Sequence, residues 1–231
     1  MPYPKPSSVW GQREDLRTST AERAATIPVQ VKLHQGDIPA DLSFGSSIAI
    51  DTETLGLNPL RDRLCLIQLS SGDGVGHLVQ FRPGEYAAPN LKRLLADESI
   101  TKIFHFGRFD IAVIAQYLGI VCRPVYCTKI ASRLTRTYTD RHGLKELCSE
   151  LLGIDLSKQQ QTSDWGRAEL TKEQLDYAAS DVLYLHKLRE VLDQRLMREN
   201  RTALAQACFE FLPTRALIDL AGWAEQDIFA H

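Results

Sequence analysis

The stretch SSIAIDTETLGLNPLRDRLCLIQLS, residues 46–70, decides how the rest of the chain is read. Ile48, Ala49 and Ile50 form an apolar run that reads as a buried strand. Residues 63–72, RLCLIQLSSG, read as a second strand, with NPLRDR as the connecting turn. Asp51 and Glu53 follow the first apolar run at once. Residues two apart on a strand point to the same face, so both acids aim together from the end of this strand. Carboxylates packed side by side repel, and desolvating them costs energy. A cation, an arginine or protonation of one acid must offset that cost. Asp-x-Glu alone is a weak signal; its place at the end of a buried strand carries the weight.

On the N-terminal side, Val29, Val31 and Leu33 alternate with polar residues, which predicts a short edge strand. On the C-terminal side, VGHLVQF (75–81) reads as a third strand after the turn Gly72-Asp73-Gly74, so three short-linked strands predict an antiparallel meander. The pattern then changes to alternating helices and strands. Helices are expected over 88–99, 108–119 (ending at a glycine), 129–138, 142–153 and 201–212, and strands over 100–107 and 125–128. Residues 154–169 read as a polar loop. One long helix is expected over 172–199, opened by a Thr171/Gln174 capping box. Its apolar stripe is Leu175, Ala178, Val182, Leu185, Leu188, Leu192 and Leu196. These elements predict an α/β fold, a mixed sheet flanked by helices. No Gly-x-Gly-x-x-Gly follows a strand, so no dinucleotide cofactor is expected.

The chain has 231 residues, 44% of them hydrophobic, enough for one substantial core. We expect a single domain over 29–231 and a mobile tail over 1–28, which holds four prolines and few aliphatics. The 27 basic and 29 acidic residues give a net charge of −2, which does not suit a protein that coats long nucleic acid. The five cysteines are scattered, with no Cys-x-x-Cys, and read as small buried apolar residues rather than a disulfide framework or zinc site. No apolar run approaches a membrane span and the N-terminus lacks a signal-like apolar core, so the expected location is cytoplasmic.

Two further acids stand where chemistry is possible. Asp110, in HFGRFD (105–110), sits just past an apolar strand at the start of a helix, where a helix-dipole role alone would explain it. Tyr177 and Asp181, in YAASDVLYL (177–185), are four apart on one helix face, beside the apolar stripe. Asp51, Glu53, Asp110 and Asp181 together offer hard oxygen donors suited to Mg²⁺ or Mn²⁺. Four carboxylates suggest two ions clamping an in-line phosphoryl displacement.

IAIDTET, HFGRFD and YAASDVLYL resemble the three exonuclease motifs of the DEDD superfamily, and Tyr177 marks the tyrosine subgroup. The His-x-Gly-x-x-Asp at 105–110 is similar to ribonuclease D. TKIFHFGRFD, CTKIASRLTRTYTDRHGLKE, SKQQQTSDW and GWAEQDIFAH resemble the nanoRNase C family of short ribonuclease D-like dinucleotidases, from about residue 29 to the end. This resemblance implies a ribonuclease H-like fold and a two-metal 3′→5′ exoribonuclease. It places Asp51, Glu53, Asp110 and Asp181 as metal ligands and Tyr177 as the residue that orients the attacking water. It also implies diribonucleotide substrates, linear di-GMP among them, and a ring-like homo-octamer. From the residues alone, Leu217, Ile218, Leu220, Trp223, Ile228 and Phe229 make a self-association surface.

Candidate substrate contacts come from the segments around these motifs. Arg123, Lys129, Arg133, Arg136, Arg141 and Lys145, interleaved with Tyr126, Tyr138 and His142, read either as a solvated helix face or as a phosphate-binding patch. Lys129, Arg136, Tyr138 and His142 are the candidates taken from it. Leu57 reads as ordinary packing, while the family resemblance implies a wedge between the last two bases. His105, Phe106 and Arg108 flank Asp110 and are expected to line the site. Trp165 reads as core before base-stacking residue, and Gln159-Gln160-Gln161 as polar loop before substrate contact. The competing readings are a processive ribonuclease D-type enzyme, a catalytically idle RNA-binding subunit and a metal-free two-carboxylate glycosidase.

Overall fold

The computed structural model describes residues 30–157, 160 and 162–230. The expected tail over 1–28, together with Val29, Gln159 and Gln161, lies outside the described residues. The strands are β1 (Gln30–Gln35), β2 (Ser47–Thr54), β3 (Leu64–Ser70), β4 (Val75–Gln80), β5 (Thr101–Phe104) and β6 (Val125–Cys127). The helices are α1 (Pro89–Ala96), α2 (Arg108–Leu118), α3 (Thr128–Thr135), α4 (Leu144–Leu147), α5 (Lys172–Leu183), α6 (Leu185–Arg198) and α7 (Thr202–Ile218). Among the described residues the strands form one mixed sheet in the order β1-β4-β3-β2-β5-β6. The meander is present: β2, β3 and β4 pair antiparallel. β1 joins the edge parallel to β4, and β5 and β6 extend the other edge in parallel from β2. This is the α/β mixed sheet flanked by helices that the pattern predicts.

The apolar runs fill both faces of the central strands. Every residue of β3 is buried, as are Ile48, Ala49 and Ile50 of β2. α5 packs across β4, β3 and β2. Gly76 on β4 permits a close approach there: a Cβ at that position would stand 2.7 Å from the Ala179 Cβ. The helix that carries Tyr177 and Asp181 can therefore lie low on the sheet.

The expected long helix over 172–199 is two helices. The capping box forms as expected, with Gln174 N–H donating to Thr171 Oγ1 and Thr171 N–H donating to Gln174 Oε1. The helix breaks at Tyr184 (φ −107°, ψ −3°), which lets one apolar stripe serve two surfaces. Ala178 and Val182 face the sheet side, whereas Leu185, Leu188, Leu192 and Leu196 are buried where α6 meets α3, α7 and the π-helical turn Cys148–Leu152. The expected strand over 100–107 is shorter because Phe106 adopts φ +65° and turns the chain into α2. The expected helix over 201–212 continues through Pro213 to Ile218. A proline inside a helix loses one backbone bond, but Pro213 is buried, so packing holds the turn. The helix over 142–153 is α4 followed by that π-helical turn. All five cysteines are free thiols, four of them buried. Among the described residues no helix is long and apolar enough to cross a membrane.

Candidate active site

β2 runs on past its buried isoleucines to Thr54, so Asp51 and Glu53 lie inside the strand rather than beyond it. Across the antiparallel register Asp51 stands opposite Gln68 and Glu53 opposite Leu66. The register then shifts between Glu53 and Thr54. Such a bulge bends the strand and re-aims the following side chains. α5 supplies Tyr177 and Asp181, one turn apart, and the first turn of α2 supplies Asp110. The link from β5 to α2 is tight: a Cβ on Gly107 would stand 2.6 Å from the Phe104 Cβ. This turn puts His105 and Phe106 beside Asp110.

Asp51, Glu53, Asp110, Tyr177 and Asp181 all line one open cleft of about 830 Å³. One carboxylate oxygen from each of Asp51, Glu53 and Asp181 lies within 4.8 Å of the others. Asp110 stands beside this trio rather than in it. Thr52 Oγ1, on the opposite side of β2 from the paired acids, donates to Asp110 Oδ1 at 2.7 Å. Asp110 is therefore held with one oxygen engaged.

Burial raises all four acids, and repulsion from the others adds to it for Asp51, Glu53 and Asp181. Burial holds the Asp51 carboxyl well above the usual carboxylate range, and Asp110, Asp181 and Glu53 push it further. Glu53 is raised by burial, then by Asp181 and Asp110. Asp110 is pushed up to about 7 by burial, against the opposing pull of the Thr52 hydrogen bond. Asp181 is also pushed up to about 7 by burial, with Asp110 adding and the bond from Tyr177 opposing. Among the described residues no lysine or arginine forms an ion pair with any of the four. An all-oxygen donor set this close, and without an internal counter-charge, fits a hard divalent cation.

Tyr177 is raised above its ordinary value by burial, then by Asp181, Glu53 and Asp51, and its hydroxyl bonds Asp181. It stays protonated at neutral pH. Its ring centroid lies 6.2 Å from that of Trp165. Trp165 is buried and lines the cleft, but its Nε1 has no hydrogen-bond partner among the described residues. The expected core setting holds, and the same side chain also forms part of the cleft wall.

The other candidates divide. Leu57 (87% exposed), His105, Phe106 (47% exposed) and Lys129 line the cleft. Lys129 Nζ stands 3.9 Å over the Phe106 ring. His105 Nδ1 bonds Thr128 Oγ1 at 2.9 Å, and burial, then Lys129, pushes its imidazole down to about 3, so it is neutral. Of the remaining basic span only Lys145 lines the cleft.

Arg108, Arg136, Tyr138 and His142 do not line the cleft. The Arg108 guanidinium turns away to pair with Asp219 and donates to the Ala224 carbonyl at 2.7 Å. Arg136, 1% exposed, pairs with Glu150 and donates to Ser132 Oγ and the Arg141 carbonyl. The Tyr138 hydroxyl bonds Glu150, and His142 Nδ1 bonds Ser132 Oγ at 2.8 Å. Arg136 thus braces α3 against the 139–150 segment. Arg136→Met is expected to cost about 2–3 kcal/mol through these charge-assisted bonds, read as a lower melting temperature with KM unchanged. A raised KM at unchanged melting temperature would instead place Arg136 on the substrate.

Thr52, Thr54, Leu55, Phe109, Leu144 and Leu156 also line the cleft, and sequence reasoning did not select them. Thr52 had a signal: it lies between the two acids, and alternation turns it toward the face from which Asp110 approaches.

The family model described as 3′-5′ exonuclease matches residues 34–197. Ribonuclease D of Granulibacter bethesdensis is 35% identical over 156 residues, which cover 68% of this chain and 39% of that protein. The chain therefore spans about two fifths of the length of that relative. The structure of Brucella melitensis NrnC with bound Mg²⁺ is 59% identical, with a TM-score of 0.85, covering 88% of this chain and all of that one. Brucella melitensis NrnC bound to pGG is 60% identical, with a TM-score of 0.86, covering 88% of this chain and 99% of that one. The family match takes in both acids of β2, Asp110, Tyr177 and Asp181, and on that ground the chain belongs to the 3′-5′ exonuclease family.

Proposed function

We propose that this protein is a two-metal-ion 3′→5′ exoribonuclease of very short RNA, diribonucleotides above all, linear di-GMP included, releasing nucleoside 5′-monophosphates. The observation that carries this reading is the convergence of Asp51, Glu53 and Asp181 oxygens within 4.8 Å, with Asp110 in the same cleft. Asp51, Glu53, Asp110 and Asp181 would hold the ions, Mg²⁺ or Mn²⁺. The bound ions would acidify the attacking water and offset charge on the phosphate. Tyr177 keeps its proton and serves as a hydrogen-bonding positioner for that water. Neutral His105 and the Lys129 ammonium face the incoming backbone. Leu57, almost wholly exposed on the cleft wall, would part the two bases.

The preference for short RNA rests on size and charge. A cleft of about 830 Å³ suits a ligand of two nucleotides. Long single strands are held by extended basic grooves, whereas only Lys129 and Lys145 of the 123–145 span line this cleft. The NrnC complex with pGG, a relative's structure, supports the same size class. The test is hydrolysis of 2-mers and 7-mers under equal conditions, with Mg²⁺ and with EDTA. Faster cleavage of 2-mers, abolished by EDTA, is expected. Equal or faster cleavage of 7-mers would favour the ribonuclease D-type processive reading.

Tyr177→Phe is expected to slow turnover by about 10²-fold while leaving Mg²⁺ affinity nearly intact, as measured by titration calorimetry. Lost Mg²⁺ binding in that variant would remove the positioning role. The buried free thiols suit a reducing compartment, the cytoplasm. The exposed Leu217, Trp223, Ile228 and Phe229 fit self-association, with an octamer as the proposed state. Light scattering that gives a monomer at micromolar concentration would dismiss it.

A further inference from the structure

Gln68 is a polar side chain in an apolar layer. It is fully buried on β3, opposite Asp51 on one neighbouring strand and Leu78 on the other. Leu66 and Leu78 beside it pack with Ala178 and Ala179 of α5. Its Nε2 donates to Asp51 Oδ2 at 3.4 Å, and its Oε1 has no partner among the described residues. A buried acceptor left unpaired opposes folding. Leucine or methionine would fill the same space without that cost, so folding alone does not favour glutamine here. The amide cannot be reversed against an ionised Asp51, because that would set oxygen against oxygen. The bond to Asp51 is long, too long to neutralise a carboxylate; what it can supply is orientation.

We infer that Gln68 is a positioning residue for metal binding: its amide N–H holds the Asp51 carboxylate turned toward Glu53 and Asp181. The inference rests on the metal-dependent reading given above. It predicts opposite signs for folding and for function. Gln68→Leu and Gln68→Met each remove an orphaned acceptor, so the metal-free melting temperature stays level or rises. Each also frees Asp51, so more Mg²⁺ is needed to assemble the site.

The experiment is a Mg²⁺ titration of wild type and both variants without substrate, read as the rise in melting temperature. It is paired with dinucleotide hydrolysis across the same Mg²⁺ series. The half-saturating Mg²⁺ concentration is expected to rise about tenfold or more in both variants, with hydrolysis restored at high Mg²⁺. A midpoint within about twofold of wild type would overturn the inference, whether or not the melting temperature falls. In that case Gln68 is only a packing residue and the nuclease reading stands. A wild type that neither responds to Mg²⁺ nor cleaves the dinucleotide would bring down the parent reading and this inference with it.

Discussion

Asp51→Asn is expected to abolish hydrolysis and at the same time to raise the melting temperature of the metal-free protein. The two effects share one cause. Asp51 is half-buried beside Asp110, Asp181 and Glu53, each of which opposes its ionisation. Without an ion this is a cost that folding must carry, and an amide of the same shape does not incur it. Relief of even 1 kcal/mol raises the melting temperature by about 2–4 °C in a chain of this size. The same carboxylate is one of the three whose oxygens meet within 4.8 Å. Asparagine offers a neutral oxygen, so the charge that would hold the ions is gone. A loss of several kcal/mol of transition-state stabilisation corresponds to about 10³-fold or more in kcat. Thermal melts in EDTA and single-turnover hydrolysis in Mg²⁺ check the two halves separately. Retained RNA cleavage would mean that these acids do no chemistry. A lowered melting temperature would mean that the Asp51 carboxylate is not a cost to folding.

The second large effect is on pH dependence, and metal reverses it. Asp110 and Asp181 rise from the ordinary 3.8 to about 7 on folding, and Asp51 and Glu53 move the same way. Between those limits the folded protein binds more protons at these groups than the unfolded chain does. Stability then falls as pH rises. For the metal-free protein the contribution of Asp110 and Asp181 is neutral near pH 4, turns progressively unfavourable toward pH 7 and levels off above, and Asp51 and Glu53 act in the same direction. The total is on the order of several kcal/mol. Mg²⁺ binds the ionised cluster and competes with protons, so its stabilisation grows over the same interval. At 100 times its Kd it adds about 2.7 kcal/mol, or roughly 5–10 °C in melting temperature. Melting curves from pH 5 to pH 8, with EDTA and with Mg²⁺, should diverge as pH rises. Parallel curves would show that the acids are not the groups that bind the ion.

Much of this molecule was legible in the sequence because local rules decide it. Apolar runs joined by turn residues marked the meander, the Thr171/Gln174 spacing marked the capping box, and Gly119 marked the end of the helix over Arg108–Leu118. Alternation along one strand put Asp51 and Glu53 on one face, and helical spacing put Tyr177 and Asp181 on another. These are properties of neighbouring residues, and no tertiary contact is needed to state them.

Only the tertiary structure decided which side chains share a space. Four acids from β2, α2 and α5 reach one cleft because Gly76 lets α5 lie low and the turn at Phe106 brings α2 to the same end of the sheet. The basic span shows the converse. Lys129 and Lys145 open onto the cleft, while Arg136 is spent on Glu150 and Arg108 on Asp219. A charged residue's letter does not tell whether its partner is solvent, ligand or another segment. That choice is made by packing between elements far apart in the chain, where burial sets the cost of every unpaired charge.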